Sequence, residues 1–172
     1  ACMYEIGELV LYGSTGVCRI TEIKTQAFPD AGERLYYVLQ PLYKSCVISI
    51  PVESDKVFLR PIISREEAEE LIGLIPTLEC PVVSGRPGRE LAERYGALLK
   101  SHDCRDWVEL AVSLQTKKKA QLRQKRRLGS VDERFLRQVE ELLFGEFAAA
   151  LDIPREKVPE YISAKVESLK AG

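Results

Sequence analysis

Apolar and aromatic residues between positions 5 and 60 fall into short runs separated by turn-forming residues. The first two runs, Leu9 to Tyr12 and Val17 to about Ala27, are joined by Gly13-Ser14-Thr15-Gly16. Three more runs follow: Arg34 to Leu42, Cys46 to Pro51 and Lys56 to Arg60. Short runs rich in β-branched and aromatic residues, bounded by Gly, Pro and Asp, predict strands. Five such strands without a long helix predict a small barrel of the Tudor-like or SH3-like type.

The pattern changes at Ser64, beyond which the chain reads as helix. Ser64-Arg65-Glu66-Glu67 is a capping box, in which a serine hydroxyl and a glutamate carboxylate bind amides at a helix start. A second capping box, Ser130-Val131-Asp132-Glu133, opens a helix whose apolar residues recur every three or four positions. The predicted helices are Ser64 to about Ile75, Arg89 to Ser101, Asp103 into a basic extension, Ser130 onward, and about Pro159 to Leu169.

The two halves predict an α+β protein of two domains. Residues 3–62 are expected to form the small five-stranded β-barrel, and residues 63–172 an all-α helical domain. A hydrophobic content of 45% is ample for packed cores in a chain of 172 residues.

Composition narrows the class of protein without identifying a partner. The formal net charge of -1 gives no global attraction to nucleic acid or membrane, so such attraction must come from local patches. Five widely separated cysteines without a C-x-x-C pair favour neither a disulfide framework nor a thiolate metal site. No apolar run is long enough to cross a bilayer, and we expect a cytoplasmic location.

Patterns typical of enzymes are nearly absent from the sequence. The single histidine, His102, stands beside Asp103 at a helix end, where a solvated turn residue is expected rather than a catalytic base. The turn Gly13-Ser14-Thr15-Gly16 lacks the lysine and following helix of a phosphate loop, so we interpret it as a tight connection between strands. We therefore expect no catalytic site, metal or cofactor.

The strongest charge asymmetry lies between positions 115 and 127. This stretch carries seven basic residues and no acid: Lys117, Lys118, Lys119, Arg123, Lys125, Arg126 and Arg127. Such a cluster on a helix can bind backbone phosphates. It also suits the solvated carboxyl end of a helix, and both interpretations stay open. A separate possible contact surface carries Arg86, Arg89 and Arg94, whereas Tyr95 is expected in the core.

A possible protein-binding edge lies in the barrel. Open barrels leave unpaired amides and carbonyls on an edge strand, where a partner can add a strand of its own. Ile48-Ser49-Ile50 is a candidate for that edge. A wholly intramolecular strand is the alternative interpretation of the same residues.

Several of these stretches resemble the CarD/CdnL family of bacterial RNA-polymerase-binding regulators. In the barrel they are the segments 10–23, 36–39, 50–53 and 59–62. In the helical half they are Glu93-Arg94-Tyr95, the helix around 111–114, and Leu142-Leu143-Phe144-Gly145-Glu146. The resemblance covers roughly residues 3–150. The transcription-repair coupling helicase carries a similar barrel, but this chain has no helicase motifs.

The resemblance implies a Tudor-like domain that docks on the β subunit of RNA polymerase and a helical domain that contacts promoter DNA at the upstream edge of the transcription bubble. Family members stabilise the open complex with an aromatic wedge at the minor groove and basic residues on phosphates. The family's wedge tryptophan corresponds to Leu91, and its arginines on the barrel strands correspond to Gln26 and Ser49. Its usual first-turn histidine and proline are Thr15 and Gly13 in this sequence.

These features predict a non-enzymatic transcription regulator that modulates open-complex stability, expected to be a monomer, with domain swapping left open. Polymerase contacts are expected at Lys24, Gln26, Ile48, Ser49 and Ile50. DNA contacts are expected at Arg86, Arg89, Leu91, Arg94, Arg126 and Arg127. No small-molecule substrate and no membrane partner are expected. A protein–protein adaptor without DNA contact is the alternative, and an enzyme with an unrecognised site ranks last.

Overall fold

A computed structural model describes residues 3–30, 32–54, 56, 58–78 and 88–171. By its internal contacts the chain divides into two compact units, Ala1–Ile62 and Ile63–Gly172. The first is built of strands and the second of helices. Among the described residues, no helix is long and apolar enough to cross a membrane.

The first unit is one antiparallel sheet of five strands. They are β1 (Leu9–Tyr12), β2 (Gly16–Phe28), β3 (Gly32–Pro41), β4 (Ile48–Pro51) and β5 (Leu59–Pro61). The strand order is β4-β3-β2-β1-β5, so β4 and β5 lie at opposite edges. The five predicted strands are therefore confirmed, with the last one shifted toward Pro61.

The predicted barrel is not closed, because the two edge strands do not pair within the described residues. Closure requires a hydrogen-bonded ladder between the first and last strands of the sheet. Here the edge strands have only four and three residues, and each ends in a proline that lacks an amide donor. The unit is an open sheet wrapped around a small core.

The connection between β1 and β2 is a structural turn, as its glycines predict. Gly13 and Gly16 have φ angles of +43° and +101°, which other residues rarely adopt. The Thr15 amide donates to the Tyr12 carbonyl at 3.0 Å, and the Gly13 amide donates to the Phe58 carbonyl at 2.9 Å. These bonds tie the turn to its own strand and to the segment before β5.

A β-bulge in β2 decides which residues face the core. Ile20 pairs with Leu39 and Glu22 pairs with Val38, so Thr21 is an extra residue on its strand. Ile20 belongs to the buried cluster, and beyond the bulge it is Ile23, three positions on, that packs against this cluster. Glu22 and the residues that share its parity consequently lie on the outer face of the sheet.

The second unit contains five α-helices. They are α1 (Arg65–Leu74), α2 (Arg89–Lys100), α3 (Cys104–Arg123), α4 (Ser130–Leu151) and α5 (Val158–Ala171). Two short 3-10 turns, Ile75–Thr77 and Arg155–Lys157, follow α1 and precede α5. The predicted helices are confirmed. Helix α4 packs against each of the other four.

The core of the helical unit lies along α3 and α4. Trp107 has no exposed surface, and its indole Nε1 donates to the Leu99 carbonyl at 3.0 Å. The predicted stripe of α4 is buried along its whole length: Leu136, Val139, Leu143 and Phe147. Trp107 is therefore a core residue of the helical unit.

One predicted capping box is confirmed and the other is wrong. At α1 the Glu67 amide donates to Ser64 Oγ at 3.0 Å, and the Ser64 amide donates to Glu67 Oε1 at 3.1 Å. At α4 the N-cap is Gly129, without a side-chain cap, and Ser130 is already helical. The reciprocal box cannot form there because it needs the serine in extended backbone before the first turn.

A polar contact joins the first and last helices of this unit. The Tyr161 hydroxyl of α5 donates to Glu69 Oε1 of α1, and the Lys165 ammonium lies 3.1 Å from Glu69 Oε2. The hydrogen bond from Tyr161, with a smaller contribution from Lys165, lowers the pKa of Glu69. Glu69 is therefore ionised at neutral pH and binds α5 to α1.

Candidate protein and nucleic-acid interfaces

Strand β4 is an edge strand of the sheet, as the sequence predicts for Ile48-Ser49-Ile50. The Val52 amide donates to the Leu35 carbonyl at 2.9 Å, so these two residues form a hydrogen-bonded pair of the β3–β4 ladder. In an antiparallel ladder, hydrogen-bonded pairs alternate with open pairs, whose backbone groups do not bond each other. Ser49 and Pro51 occupy the open positions, so their backbone polar groups point away from β3.

The free edge of β4 consequently offers few donors. Ser49 presents an amide N–H and a carbonyl, whereas Pro51 presents a carbonyl alone because proline has no N–H. A strand added here would receive one hydrogen bond from β4 and donate up to two. This is a short, acceptor-rich edge.

The five predicted polymerase contacts divide between the two faces of the sheet. Lys24, Gln26 and Ser49 lie on the outer face, where the Lys24 ammonium is 3.5 Å from Glu22 Oε2. Ile50 is only 5% exposed and belongs to the core cluster, against which Ile48 also packs. The two isoleucines are therefore available to a partner mainly through the edge that their strand forms.

An aromatic residue on the same outer face escaped the sequence analysis. Phe28 shares the parity of Lys24 and Gln26, is 44% exposed, and contacts Tyr36 edge to face at 5.2 Å between ring centroids. The signal that identifies it is the strand parity beyond the bulge. An exposed aromatic ring beside polar residues is typical of protein interfaces.

The gap between the two edge strands holds a cavity of about 290 Å³. Tyr37 lies in its wall and accepts hydrogen bonds at its hydroxyl from the Met3 and Tyr4 amides, at 3.0 and 3.2 Å. Apolar side chains of Ile50, Val52 and Leu59 form much of the remaining wall. The cavity is the incompletely covered core of the open sheet.

The arginines of α2 are exposed but paired with carboxylates of their own helix. Arg89 Nε lies 3.1 Å from Glu93 Oε1, and Arg94 lies 3.8 Å from Glu90 Oε1. Exposed pairs of this kind contribute little to stability and exchange readily with other anions. The third predicted residue of this surface, Arg86, lies outside the described residues.

Leu91 faces the interior of the helical unit. It is 6% exposed, and Tyr95 one turn later is 1% exposed, which confirms Tyr95 as a core residue. A side chain that wedges between bases must be free to leave the protein surface. The burial of Leu91 gives no support to the wedge role that the resemblance implies.

In the basic stretch after position 115, one lysine points into the protein and most of the other basic side chains are exposed. Lys117 is turned inward, and its Nζ lies 2.7 Å from Oδ2 of the buried Asp132. Exposed side chains are those of Lys119, Arg123, Lys125, Arg126 and Arg127, and Lys118 is half-buried. The last three follow the end of α3, in the segment that leads into α4.

Asp132 is the centre of a buried polar group that the sequence analysis missed. Its Oδ1 accepts a hydrogen bond of 2.7 Å from the Tyr95 hydroxyl, while Oδ2 faces the Lys117 ammonium. Burial, followed by the Asp132 carboxylate, raises the pKa of Tyr95 well above its ordinary value. The Tyr95 hydroxyl is therefore protonated at neutral pH and donates this hydrogen bond. No local pattern could reveal this group, because its members come from three helices.

Within the described part of the chain, no set of three or more His, Cys, Asp or Glu side chains could hold a metal ion. His102 lies in the turn between α2 and α3 with a φ of 56°. Burial raises the pKa of the Cys18 thiol to about 11, assisted by Cys46, so Cys18 is a protonated core residue rather than a nucleophile.

Residues 4–63 match the family model described as CarD-like/TRCF RID domain. The matched stretch contains all five strands and the predicted β4 edge. The match confirms the resemblance to the CarD/CdnL family over this unit. No curated protein matches the chain.

Proposed function

Because residues 4–63 form a CarD-like/TRCF RID domain, we propose that this protein is a bacterial transcription regulator that binds the β subunit of RNA polymerase. Its helical unit contacts promoter DNA at the upstream edge of the transcription bubble and modulates open-complex stability. The observation that carries the proposal is the family match, together with the free β4 edge inside the matched stretch. The protein acts by binding and needs no catalytic residue.

Polymerase binding is proposed to occur by strand addition at β4. Main-chain hydrogen bonds supply affinity in this mode, and the side chains that flank the edge supply specificity. The Ser49 amide and the Ser49 and Pro51 carbonyls are the groups that a partner strand would bind. The outer-face residues Lys24, Gln26 and Phe28 form the adjoining surface.

DNA contact is proposed to rest on exposed cations of the helical unit. Arg126 and Arg127 are exposed next to the start of α4. Arg89 and Arg94 add to them once phosphates replace their glutamate partners. Weak DNA affinity is sufficient, because a protein held on the polymerase meets the DNA at millimolar effective concentration. Leu91 is not part of this proposal, since it is buried.

The polymerase proposal is tested by replacing the one outward amide of β4. Ser49→Pro removes that N–H while leaving the β3 ladder intact, because the amide points away from β3. We expect at least about tenfold weaker binding of the full-length variant to the isolated β-subunit lobe, since a donor is lost and the proline ring obstructs the edge. Isothermal calorimetry provides the measurement.

Ser49→Ala is the matched control, because it removes the hydroxyl and keeps the amide. We expect it to bind within about twofold of the wild type, as an exposed substitution does. Circular dichroism checks that both variants keep the sheet. Equal binding by the two variants would contradict strand addition at β4, and no binding of the wild type at micromolar concentration would contradict the polymerase proposal itself.

An adaptor that binds the polymerase without touching DNA is the second candidate. The pairing of Arg89 and Arg94 with glutamates and the inward direction of Lys117 favour it, because they reduce the positive charge available to phosphates. Crosslinking of the full-length protein to a polymerase–promoter complex separates the two candidates. Crosslinks from Arg126 or Arg127 positions to DNA support the regulator, and crosslinks confined to polymerase support the adaptor.

A further inference from the structure

A buried polar triad connects three helices of the second unit. Tyr95 comes from α2, Lys117 from α3 and Asp132 from α4. Both contacts of the Asp132 carboxylate measure 2.7 Å, one to the Tyr95 hydroxyl and one to the Lys117 ammonium. The exposed fractions of the side chains are 6% for Asp132 and 21% for Lys117. The triad is therefore a directional contact largely shielded from water.

Helix α2 depends on this contact more than its neighbours do. Its buried residues are Leu91 and Tyr95, which are one turn apart and lie along a single line. Its carboxyl end has a further link, the bond from Trp107 to the Leu99 carbonyl. Half-buried Leu98 and Leu99 add partial contacts near the carboxyl end, but the two fully buried side chains lie on one line and so define the rotation of the helix about its axis only weakly. The hydroxyl of Tyr95 fixes that rotation, because a short hydrogen bond has a preferred direction.

The exposed arginines of α2 are carried by the same part of the helix. Arg94 is adjacent to Tyr95, and Arg89 lies less than two turns before it. The other partners of the triad belong to the helices that flank Arg126 and Arg127, because α3 ends before these residues and α4 begins after them. A rotation of α2 would therefore change the arrangement of one pair of arginines relative to the other.

We propose that the triad of Tyr95, Lys117 and Asp132 is a positioning device that fixes α2 against α3 and α4 and so holds the two arginine pairs in one arrangement for DNA. This inference rests on the proposed function for its DNA part. Its structural part, the fixed position of α2, does not.

The competing explanation is that the triad only stabilises the fold. The physics of buried ion pairs distinguishes this explanation from a positioning role. Replacing a buried ion pair by apolar side chains of similar size is often neutral or stabilising, because the charges no longer have to be desolvated. Directional specificity is lost in the same replacement. The triple variant Tyr95→Phe, Lys117→Met, Asp132→Leu should therefore keep its thermal stability and lose the fixed rotation of α2.

The experiment compares four full-length proteins by amide hydrogen exchange. These are the wild type, the single variant Tyr95→Phe, the triple variant, and the control Arg105→Gln, which removes an exposed ion pair to Glu109 on α3. We expect exchange of the α2 amides to accelerate about tenfold in Tyr95→Phe and in the triple variant, because a helix with weaker tertiary contacts opens more often. The control should exchange as the wild type does.

Wild-type exchange in α2 of a folded triple variant would overturn the inference. If the single variant alone fails to fold, the triple variant still decides the question, since its packing is apolar throughout. The DNA part is measured as the lifetime of the open complex with each protein bound. We expect the triple variant to lose at least about half of the wild-type effect while its β-lobe affinity is unchanged, because a misplaced contact group weakens only the contacts it makes.

A failure of this inference and a failure of the proposed function would give different experimental results. Accelerated α2 exchange with an unchanged open-complex lifetime would show that α2 is fixed by the triad but that this arrangement does not serve DNA, which overturns the DNA part. A wild-type protein without any effect on the open complex would contradict the proposed function, and the exchange measurements would still test the positioning of α2.

Discussion

At the scale of single residues, Leu91 separates what the family resemblance implies from what packing allows. The resemblance implies a side chain at this position that wedges into DNA. Yet the leucine is 6% exposed, because it is one of the two side chains that attach α2 to the helical core. Burial removes its apolar surface from water, which favours the inward position.

We predict that Leu91→Ala destabilises the protein by about 2–5 kcal/mol, because it leaves a cavity beneath α2. Leu91→Met, which conserves volume, should cost less than about 1.5 kcal/mol. Chemical denaturation of the full-length variants, monitored by the helical signal, measures both. Wild-type stability of Leu91→Ala would mean that this side chain is not a core residue in solution.

Lys117 and Asp132 show which part of the site could not be read from sequence. The sequence places seven basic residues between positions 115 and 127, and most of their side chains are exposed. The inward direction of Lys117 depends on the Asp132 carboxylate of another helix, whereas the local sequence pattern predicts that Asp132 is part of a cap. A contact between helices is decided by tertiary packing, which local spacing does not record.

At the scale of secondary-structure elements, the two serine-initiated helices differ in one backbone feature. Ser64 has extended backbone, with φ of -76° and ψ of 167°, and its hydroxyl receives the Glu67 amide. At α4 the extended residue is Gly129, so Ser130 stands one position too late to act as the cap. The same four-residue pattern therefore has different consequences in the two helices.

This difference predicts unequal effects of two matched substitutions. Ser64→Ala should lower the free energy of unfolding by about 1 kcal/mol, because it deletes a cap hydrogen bond. Ser130→Ala should change it by less than about 0.5 kcal/mol, as an exposed substitution without a capping role does. Equilibrium unfolding in urea gives both values. Equal losses for the two variants would contradict the assignment of Gly129 as the N-cap.

Most elements were predictable because their signals are local. Strand runs and helix periodicity gave the five strands and the five helices, with boundaries shifted by a few residues at β4 and β5. Closure of the barrel was not predictable in this way, because it depends on whether residues near 50 and near 60 pair. The prolines at positions 51 and 61 are visible in the sequence, but their importance is clear only once both strands are known to be edges.

At the scale of the whole molecule, a net charge of -1 conceals an uneven distribution of cations. The exposed group at the end of α3 is the part of the described chain best suited to phosphates, since its side chains have few internal partners to leave. Binding through phosphates releases counterions, so its strength falls as salt concentration rises. The salt dependence therefore measures how many of these cations contact DNA.

We predict that Arg126→Ala and Arg127→Ala each reduce the slope of log affinity against log salt by about one for a polymerase–promoter complex. The affinity for polymerase without DNA should be unchanged. Arg105→Gln is the control, because Arg105 lies far from the cations at the end of α3. A rise of about 1.5 Å per residue places it some 27 Å from Arg123. Slopes unaltered by both alanine variants would favour the adaptor.

The first unit of the molecule carries a family pattern that is visible in its sequence. The predicted domain of residues 3–62 coincides closely with the matched stretch 4–63. The edge at Ile48-Ser49-Ile50 was predicted because open barrels leave a strand exposed, and the strand order confirms it. The five predicted contact residues carry no information about the faces of the sheet, and the structure places Ile50 in the core and Lys24 and Gln26 on the outer face. A pattern of residue types identifies a strand, whereas burial on one face appears only after its neighbours are placed.

The extra residue in β2 determines which face of the sheet each later side chain of that strand occupies. Thr21 gives β2 one residue more than β3 has opposite it, and every residue beyond it faces the side opposite to the one that simple alternation would give. Loss or gain of one residue between Glu22 and Phe28 would exchange the core and solvent faces of the part that follows it, while a change of two would preserve them. Related proteins should therefore differ at this strand by two residues at a time. A difference of one residue should be accompanied by the loss or gain of a bulge.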